Sequence, residues 1–279
     1  MAAIDISNDY RAQTATGRIH VGTSGWSYAH WRGVFYPEGL ASGARLPYYA
    51  ARFATVEVDR TFSSLPAARV VERWRDTAPP GFTFAVKAPR AITHLRRLRR
   101  SDALLADFVT RVRGLGHALG PILFELPEGL PRDTGLLRDF LDMLPRDLGY
   151  AFEFRDPSWF RDRVYDLLAD REAAFCIYRL GDRETPPVVT ASFVYVRLHG
   201  LGGAYAGAYG REGLRHWADS CRAWAADEFD VRVYFDNDLG GAAVRDAVTL
   251  RNLVGQRVAW GTSRAAGGDA GGSGDRLAG

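Results

Sequence analysis

The sequence predicts a single (β/α)8 TIM-type barrel, an α/β fold, and three observations support this fold class. Short runs of strand-forming residues alternate with longer segments that carry Leu, Val, Phe or Trp at the three-to-four spacing of amphipathic helices. The strand-like runs number eight, which is how many parallel strands close this kind of barrel. The chain has 279 residues, a length that one such barrel fills.

The predicted strands span residues 19–24, 55–60, 82–87, 121–126, 150–155, 174–179, 193–199 and 231–237. Helical segments between consecutive strands favour parallel pairing. A doubly wound open sheet is the alternative, but its buried strands would be apolar on both faces, and these are not. We predict a barrel over residues 18–260, a disordered arm over 1–17 and a disordered Gly-rich tail over 261–279, because neither end carries enough apolar residues to offset its ordering entropy.

The bulk composition excludes several classes of protein. Hydrophobic residues make up 47% and charged residues 25% of the chain, which is typical of a globular protein. The two cysteines, Cys176 and Cys221, are too few for a disulfide framework or a cysteine metal site, which favours a reduced, cytoplasmic setting. We find neither a secretory signal pattern nor an apolar run long enough to span a membrane, so we expect no membrane association.

The alternation of residues within the strands predicts a polar barrel interior. Successive side chains of a strand point to opposite faces, and the apolar face must meet the helices. In residues 150–155, Phe152 and Phe154 therefore face the helices, while Glu153 and Arg155 face inward. The same parity turns inward His20, Glu57, Asp59, Lys87, Glu125, Tyr195, Arg197, His199, Arg232 and Asp236.

Most of these inward charges lie near the carboxyl ends of their strands, where barrel enzymes carry their active sites. Two interpretations remain open. The charges form an active site, or they neutralise one another in an ion-pair network that only fills the barrel, since unpaired buried charges cost several kcal/mol each.

Seven segments in order along the chain carry a resemblance to a known family. They are GTSGWSYAHWRGVFYP (22–37), TVEVDRTFSSLP (55–66), FTFAVKAPRAITH (82–94), LFELP (123–127), EFRDPSW (153–159), YVRLHG (195–200) and YFDND (234–238). Together they resemble the domain-of-unknown-function 72 family, also called YecE-like, from about residue 19 to residue 254. The resemblance implies a TIM-type barrel and brings no settled activity.

The chain also departs from the pattern usual in that family. Asp59 and Asp236 stand where Asn is usual, and Glu125 where Gln is usual. Ser63 replaces a usual Tyr, and Asp156 a usual His. The resemblance therefore implies a pocket whose charge differs from that of its relatives.

Carboxylates beside arginines and a histidine are suited to proton transfer and to anion binding. We predict four catalytic residues, which are Glu57, Glu153, His199 and Asp236. We predict seven substrate-binding residues, which are Ser24, Trp26, Lys87, Arg155, Arg197, Tyr205 and Tyr209. The two tyrosines belong to the Gly-rich stretch 199–213, and Trp26 belongs to an aromatic group (Trp26, Tyr28, Trp31, Trp159) that is either a stacking platform or loop core.

We predict no bound metal and no cofactor, because the interior offers too few histidines and neither an H-E-x-x-H motif nor a cysteine pair. The predicted function is that of a hydrolase or lyase acting on a small anionic ligand that bears a phosphate or carboxylate. The alternative is a non-catalytic barrel that binds nucleic acid through Arg96, Arg97, Arg99 and Arg100. The oligomeric state stays open.

Overall fold

The structure is a computed structural model and describes residues 16–202 and 205–256. It confirms the predicted barrel of eight parallel strands, which are joined through helices except between the sixth and the seventh, where residues 181–192 contain no helix. The strands are β1 (Ile19–Thr23), β2 (Thr55–Val58), β3 (Thr83–Lys87), β4 (Leu119–Leu126), β5 (Tyr150–Phe154), β6 (Ala173–Leu180), β7 (Phe193–Leu198) and β8 (Asp230–Phe235). A two-residue strand, Arg183–Glu184, pairs antiparallel with the end of β6 outside this order.

The strands follow the order β1-β8-β7-β6-β5-β4-β3-β2 around the barrel. The seam between β1 and β2 is closed by one isolated bridge, Ser24 with Glu57, in which the Gly25 amide donates to the Glu57 carbonyl at 2.7 Å. The two strands come so close that a Cβ on Gly22 would lie 2.3 Å from the Thr55 carbonyl oxygen. Glycine is therefore required at position 22 for the barrel to close.

The helices are α1 (Arg45–Ala50), α2 (Ala68–Thr77), α3 (Asp102–Val112), α4 (Thr134–Met143), α5 (Asp162–Ala169), α6 (Gly210–Gly213), α7 (Arg215–Ala226) and α8 (Ala242–Leu253). Each of the longer ones buries an apolar stripe against the strands. In α3 this stripe is Leu105, Phe108, Val109 and Val112. The α4 helix begins at an Asp133 cap, whose carboxylate accepts the Leu136 amide at 2.9 Å.

Two separate layers of buried residues confirm the predicted parity of the strands. A large apolar core lies between strands and helices and contains Phe152 and Phe154. A second cluster fills the barrel itself with mostly small side chains, among them Ala85, Ala151 and Cys176. Small interior residues leave room above them, at the carboxyl ends of the strands, for long charged side chains.

The predicted barrel boundaries fall near the ends of the described residues. At the amino end, the Gly17 amide donates to the Ala225 carbonyl at 2.9 Å, so residue 17 is in contact with the barrel. The rest of the predicted arm, up to residue 15, and the predicted tail over 261–279 lie outside the described residues. Within the described ranges, no helix is both long enough and apolar enough to cross a membrane.

Candidate active site

Arg197, at the carboxyl end of β7, is the centre of the polar cluster. Its side chain is fully buried, and its two terminal nitrogens contact four carboxylates. Nη1 lies 2.8 Å from both Glu125 and Glu153, whereas Nη2 lies 2.8 Å from Glu57 and 2.9 Å from Asp236. A planar guanidinium fork can hold several carboxylates in this way, which a lysine could not do.

His199 lies two residues beyond Arg197 and is also fully buried. Its Nε2 is 3.1 Å from Glu153, and its Nδ1 is 3.2 Å from Asp236, although this second contact lacks the alignment of a hydrogen bond. Arg155 adds a second guanidinium, with Nε 2.6 Å from Glu153 and Nη2 3.2 Å from His199 Nε2. The imidazole therefore lies between two carboxylates.

Glu57 forms the inner wall of the cluster. Ser24 donates to its Oε1 at 2.7 Å, and Tyr195 donates to its Oε2 at 2.7 Å. Together with Arg197, these donors occupy both oxygens of a fully buried carboxylate. Ser24 thus supports Glu57, and its role as a substrate-binding residue stays a prediction.

The outer edge of the cluster is formed by Lys87, Glu125 and two aspartates. Lys87 Nζ lies 3.1 Å from Asp59 and 3.2 Å from Glu125. The Asp59 side chain is 45% exposed and that of Asp236 is 15% exposed, whereas Glu57 and Glu153 are fully buried. We call the whole set the ion-pair network; its members are Glu57, Asp59, Lys87, Glu125, Glu153, Arg155, Arg197, His199 and Asp236.

Pairing keeps the acids of the network ionised in spite of burial. Burial by itself would raise the pKa of Glu153, but Arg155 and Arg197 hold that pKa well below its ordinary value. The same balance of burial against Arg197 lowers the pKa of Asp236. Burial opposes the charged form of Lys87 as well, yet Glu125 and Asp59 raise its pKa above the usual range.

The network carries an excess of negative charge. It contains five carboxylates, on Glu57, Asp59, Glu125, Glu153 and Asp236, against the three permanent cations of Lys87, Arg155 and Arg197. Three of those acids, Asp59, Glu125 and Asp236, are the ones that depart from the pattern of the resembled family. All three permanent cations are already engaged by carboxylates.

Two cavities open beside the exposed edge of the network and share the side chain of Tyr28. The mouth cavity, of about 400 Å³, is lined by Tyr28, His30, Tyr205, Ala206, Asp236, Asp238 and Leu239. The tryptophan cavity, of about 870 Å³, lies on the other side and includes Trp26, Asp59 and Trp74 in its lining. The carboxylates of Asp236 and Asp59 are thus each reached from a different cavity.

The structure divides the predicted aromatic residues into two groups. Trp26 lines the tryptophan cavity, and the ring of Tyr205 lies 5.6 Å from that of His199 at the mouth. Trp31 and Trp159 are fully buried and belong to the loop core. Tyr209 is buried too, and its hydroxyl accepts the Gly200 amide at 3.1 Å, so it supports the loop and does not face the mouth.

Several residues at this site were not predicted from the sequence. Tyr195 holds Glu57, and Asp238, which lines the mouth cavity, accepts from the Trp31 indole at 2.6 Å. Strand parity already turns Tyr195 inward, but its role depends on a distance across the barrel. In the described part of the chain, His, Cys, Asp and Glu side chains do not form a group of three or more that could hold a metal ion.

Comparison with known proteins gives the family. The family model described as "Protein of unknown function DUF72" matches residues 20–267. The chain belongs to the DUF72 family. Curated relatives include the UPF0759 protein YecE of Escherichia coli (strain K12), 36% identical over 143 residues. That match spans 51% of this chain and about half, 50%, of the relative.

Further DUF72 relatives match over most of their length. The UPF0759 protein YunF of Bacillus subtilis is 26% identical over 85% of this chain and 94% of its own. A crystal structure of a DUF72 protein from Thermotoga maritima has a TM-score of 0.78 at 25% identity and covers 85% of this chain and 99% of its own. A DUF72 structure from Enterococcus faecalis has a TM-score of 0.74 at 18% identity, covering 85% and 95% of the two chains. These structures confirm the barrel fold.

Proposed function

We propose that the chain is an enzyme of the hydrolase or lyase type, in which Asp236 contacts the substrate and accepts a proton. One observation carries this proposal: of the four predicted catalytic side chains, Asp236 is the one that reaches solvent and lines the mouth cavity. Arg197 lowers the pKa of this carboxyl in spite of burial, so the group is ionised at neutral pH and can accept a proton, although its pairing with Arg197 weakens it as a base.

His199 is proposed as a proton relay behind Asp236. Its ring lies between the two acids, 3.1 Å from Glu153 and 3.2 Å from Asp236, and proton transfer to Asp236 requires the Nδ1 contact to become aligned as a hydrogen bond. Because Glu57 and Glu153 are closed off from solvent, they act as positioning residues that hold Arg197 and, through it, Asp236.

The substrate is proposed to bear a phosphate or carboxylate that binds outside the ion-pair network. Arg155, Arg197 and Lys87 were predicted to bind this anion, but each already holds carboxylates, and the network has negative charge in excess. An anion placed among them would displace those partners and meet repulsion. The part of the substrate that reacts at Asp236 is therefore uncharged, and the rings of Tyr28 and Tyr205 offer faces on which it can stack.

A second candidate function, non-catalytic binding of nucleic acid, is favoured by the exposed arginines that follow β3. Arg97 and Arg100 are exposed and lack an acidic partner within the described residues. A barrel that only binds nucleic acid would bind oligonucleotides with an affinity that falls steeply with salt, and it would convert no small chromogenic substrate.

The enzyme proposal is tested with a panel of p-nitrophenyl esters and p-nitrophenyl glycosides that carry a phosphate or carboxylate away from the bond that breaks. For the substrate that wild type converts, the Asp236→Asn variant should lower kcat by about 100-fold or more, because a general base contributes roughly that factor. The matched control is Asp139→Asn, which removes an exposed carboxylate on α4, away from the network. Turnover by Asp236→Asn equal to wild type would contradict the proposal, and salt-dependent oligonucleotide binding without any turnover would favour the second candidate.

A further inference from the structure

Four arginines surround a cavity outside the ion-pair network. The cavity, of about 730 Å³, is lined by Arg97, Arg99, Arg132 and Arg163, together with Leu130, Pro131, Asp133 and Thr134. Arg97 and Arg99 follow β3, Arg132 lies in the loop between β4 and α4, and Arg163 lies in the first turn of α5. We call this feature the arginine cavity.

Its single carboxylate is already occupied. Asp133 accepts the Leu136 amide with Oδ1 at 2.9 Å and pairs with Arg99 through Oδ2 at 3.0 Å. Arg97, Arg132 and Arg163 are left without an acidic partner in the described part of the chain. Three like charges that converge on one cavity repel one another, and an anion between them would remove that repulsion.

The positions of Arg132 and Arg163 oppose local helix stability. Arg132 precedes the cap of α4, and Arg163 follows the first residue of α5. The amino end of a helix carries partial positive charge, so a cation there is unfavourable by a few tenths of a kcal/mol up to about 1 kcal/mol. Helix formation therefore gives no reason for an arginine at either position, whereas binding of an anion does.

The walls of the cavity are held by two hydrogen bonds and by buried side chains. The indole of Trp159, which is fully buried, donates to the Leu130 carbonyl at 2.7 Å, and the Arg132 amide donates to Ser158 Oγ at 2.8 Å. On the opposite wall, Leu98 is 1% exposed and anchors the backbone between Arg97 and Arg99. A site whose walls are fixed before binding loses less conformational entropy when the ligand arrives.

We propose that the arginine cavity binds a phosphate group, either of a small phosphate ester or of a nucleic-acid backbone. Guanidinium groups match the oxygens of a phosphate in pairs, and helix amino ends add favourable partial charge. The ion-pair network cannot offer this, since its cations are already held by carboxylates. The proposal does not depend on whether the network is catalytic, and the tests of the two are separate.

Binding is measured with two probes, pyrophosphate by calorimetry and a fluorescent oligothymidylate by anisotropy. The test variant is Arg97→Ala/Arg132→Ala/Arg163→Ala. The control is Arg69→Ala/Arg146→Ala/Arg211→Ala, which removes the same charge from exposed positions elsewhere. Thermal melting of both variants checks that they fold, which is expected because all six arginines are exposed.

The test variant should weaken binding of at least one probe by about tenfold or more, which corresponds to about 1.4 kcal/mol, while the control should stay near wild type. Loss of pyrophosphate binding indicates a site for small phosphate esters. If wild type binds only oligothymidylate, weaker binding of it by the test variant indicates a site for a nucleic-acid backbone. The slope of log affinity against log salt concentration should then be smaller in magnitude by about 2, because three phosphate contacts are lost. The proposal is overturned if wild type binds neither probe, or if test and control variants lose the same affinity.

Discussion

The ion-pair network and the arginine cavity lie on the same face of the barrel and put arginine to opposite uses. Arg197 is fully buried and contacts four carboxylates, whereas Arg132 and Arg163 are exposed and face a cavity without an acidic partner among the described residues. Burial forces a guanidinium to be paired within the protein, because an unpaired buried charge is too costly. An exposed one stays hydrated and remains free to bind a ligand. Under the proposal above, exposure leaves Arg132 and Arg163 available to a ligand, whereas burial commits Arg197 to its carboxylates.

The largest expected loss of stability comes from removing the buried arginine. Arg197→Ala leaves four carboxylates without their common partner and should lower the free energy of unfolding by about 3–5 kcal/mol. Arg132→Ala, at the exposed site, should change it by no more than about 0.5 kcal/mol. Urea denaturation of both variants measures the difference, and equal losses would remove the contrast between the two regions.

The loss of stability in acid should come mainly from the network and should not depend on Arg97, Arg132 and Arg163 of the arginine cavity. The pKa values of Glu125, Glu153 and Asp236 are lowered in the folded state, so their stabilisation is present above the ordinary values of 4.5 and 3.8 and is lost as the pH falls below them. The triple variant of the arginine cavity should show the same acid limb as wild type in urea titrations from pH 6 to pH 3. A flat profile below pH 4.5 would show that the carboxylates are not paired as described.

His20 should cause a second loss of stability in acid, at a higher pH than the loss caused by the network. Burial, aided by Arg232, lowers its pKa from 6.5 to about 4, so the folded state disfavours the protonated ring. The unfolded state then binds more protons between these two values, and stability should fall as the pH drops from 6.5 toward 4. His20→Gln should remove this step and leave the limb below pH 4 in place, which the same titrations would show. A step that persists in His20→Gln belongs to another group.

A smaller loss of stability is expected when a neutral residue that donates a hydrogen bond to the network is changed. Tyr195→Phe removes the hydroxyl that donates to Glu57 and leaves a buried carboxylate oxygen short of a partner, at a cost of about 1–3 kcal/mol. Tyr165→Phe, at a partly exposed ring on α5, is the control. If both substitutions cost the same, the Tyr195 hydroxyl does not hold Glu57.

The smallest expected change is a gain in the free energy of unfolding, opposite in sign to the losses above. Arg163→Glu places a negative charge in the first turn of α5 and should raise stability by about 0.3–1 kcal/mol, while it weakens phosphate binding in the arginine cavity. Denaturation and calorimetry on the same preparation measure both changes. A variant that is both more stable and fully competent in binding would show that Arg163 takes no part in the site.

Strand parity was sufficient to predict the barrel and its inward charges, because a period of two assigns every residue of a strand to one face. It placed Glu153, Arg197 and Asp236 together, although they belong to different strands. It could not show which charges are satisfied, since the donors of Glu57 come from β1 and from β7 and their distances depend on how the barrel closes. For the same reason the grouping of Arg132 and Arg163 with Arg97 was not predicted, because it arises only when two loops and the first turn of α5 meet.

The seam between β1 and β2 is the weakest connection between neighbouring strands of the barrel. The other neighbouring strands are joined by ladders, whereas here one isolated backbone bridge, with the Ser24–Glu57 side-chain hydrogen bond beside it, joins the described strand ends. The Glu57 backbone accepts the Gly25 amide, and its side chain is the one that holds Arg197. Local opening at the seam therefore loosens the ion-pair network at the same time. Amide protons along β2 should exchange with solvent at the rate at which the network opens.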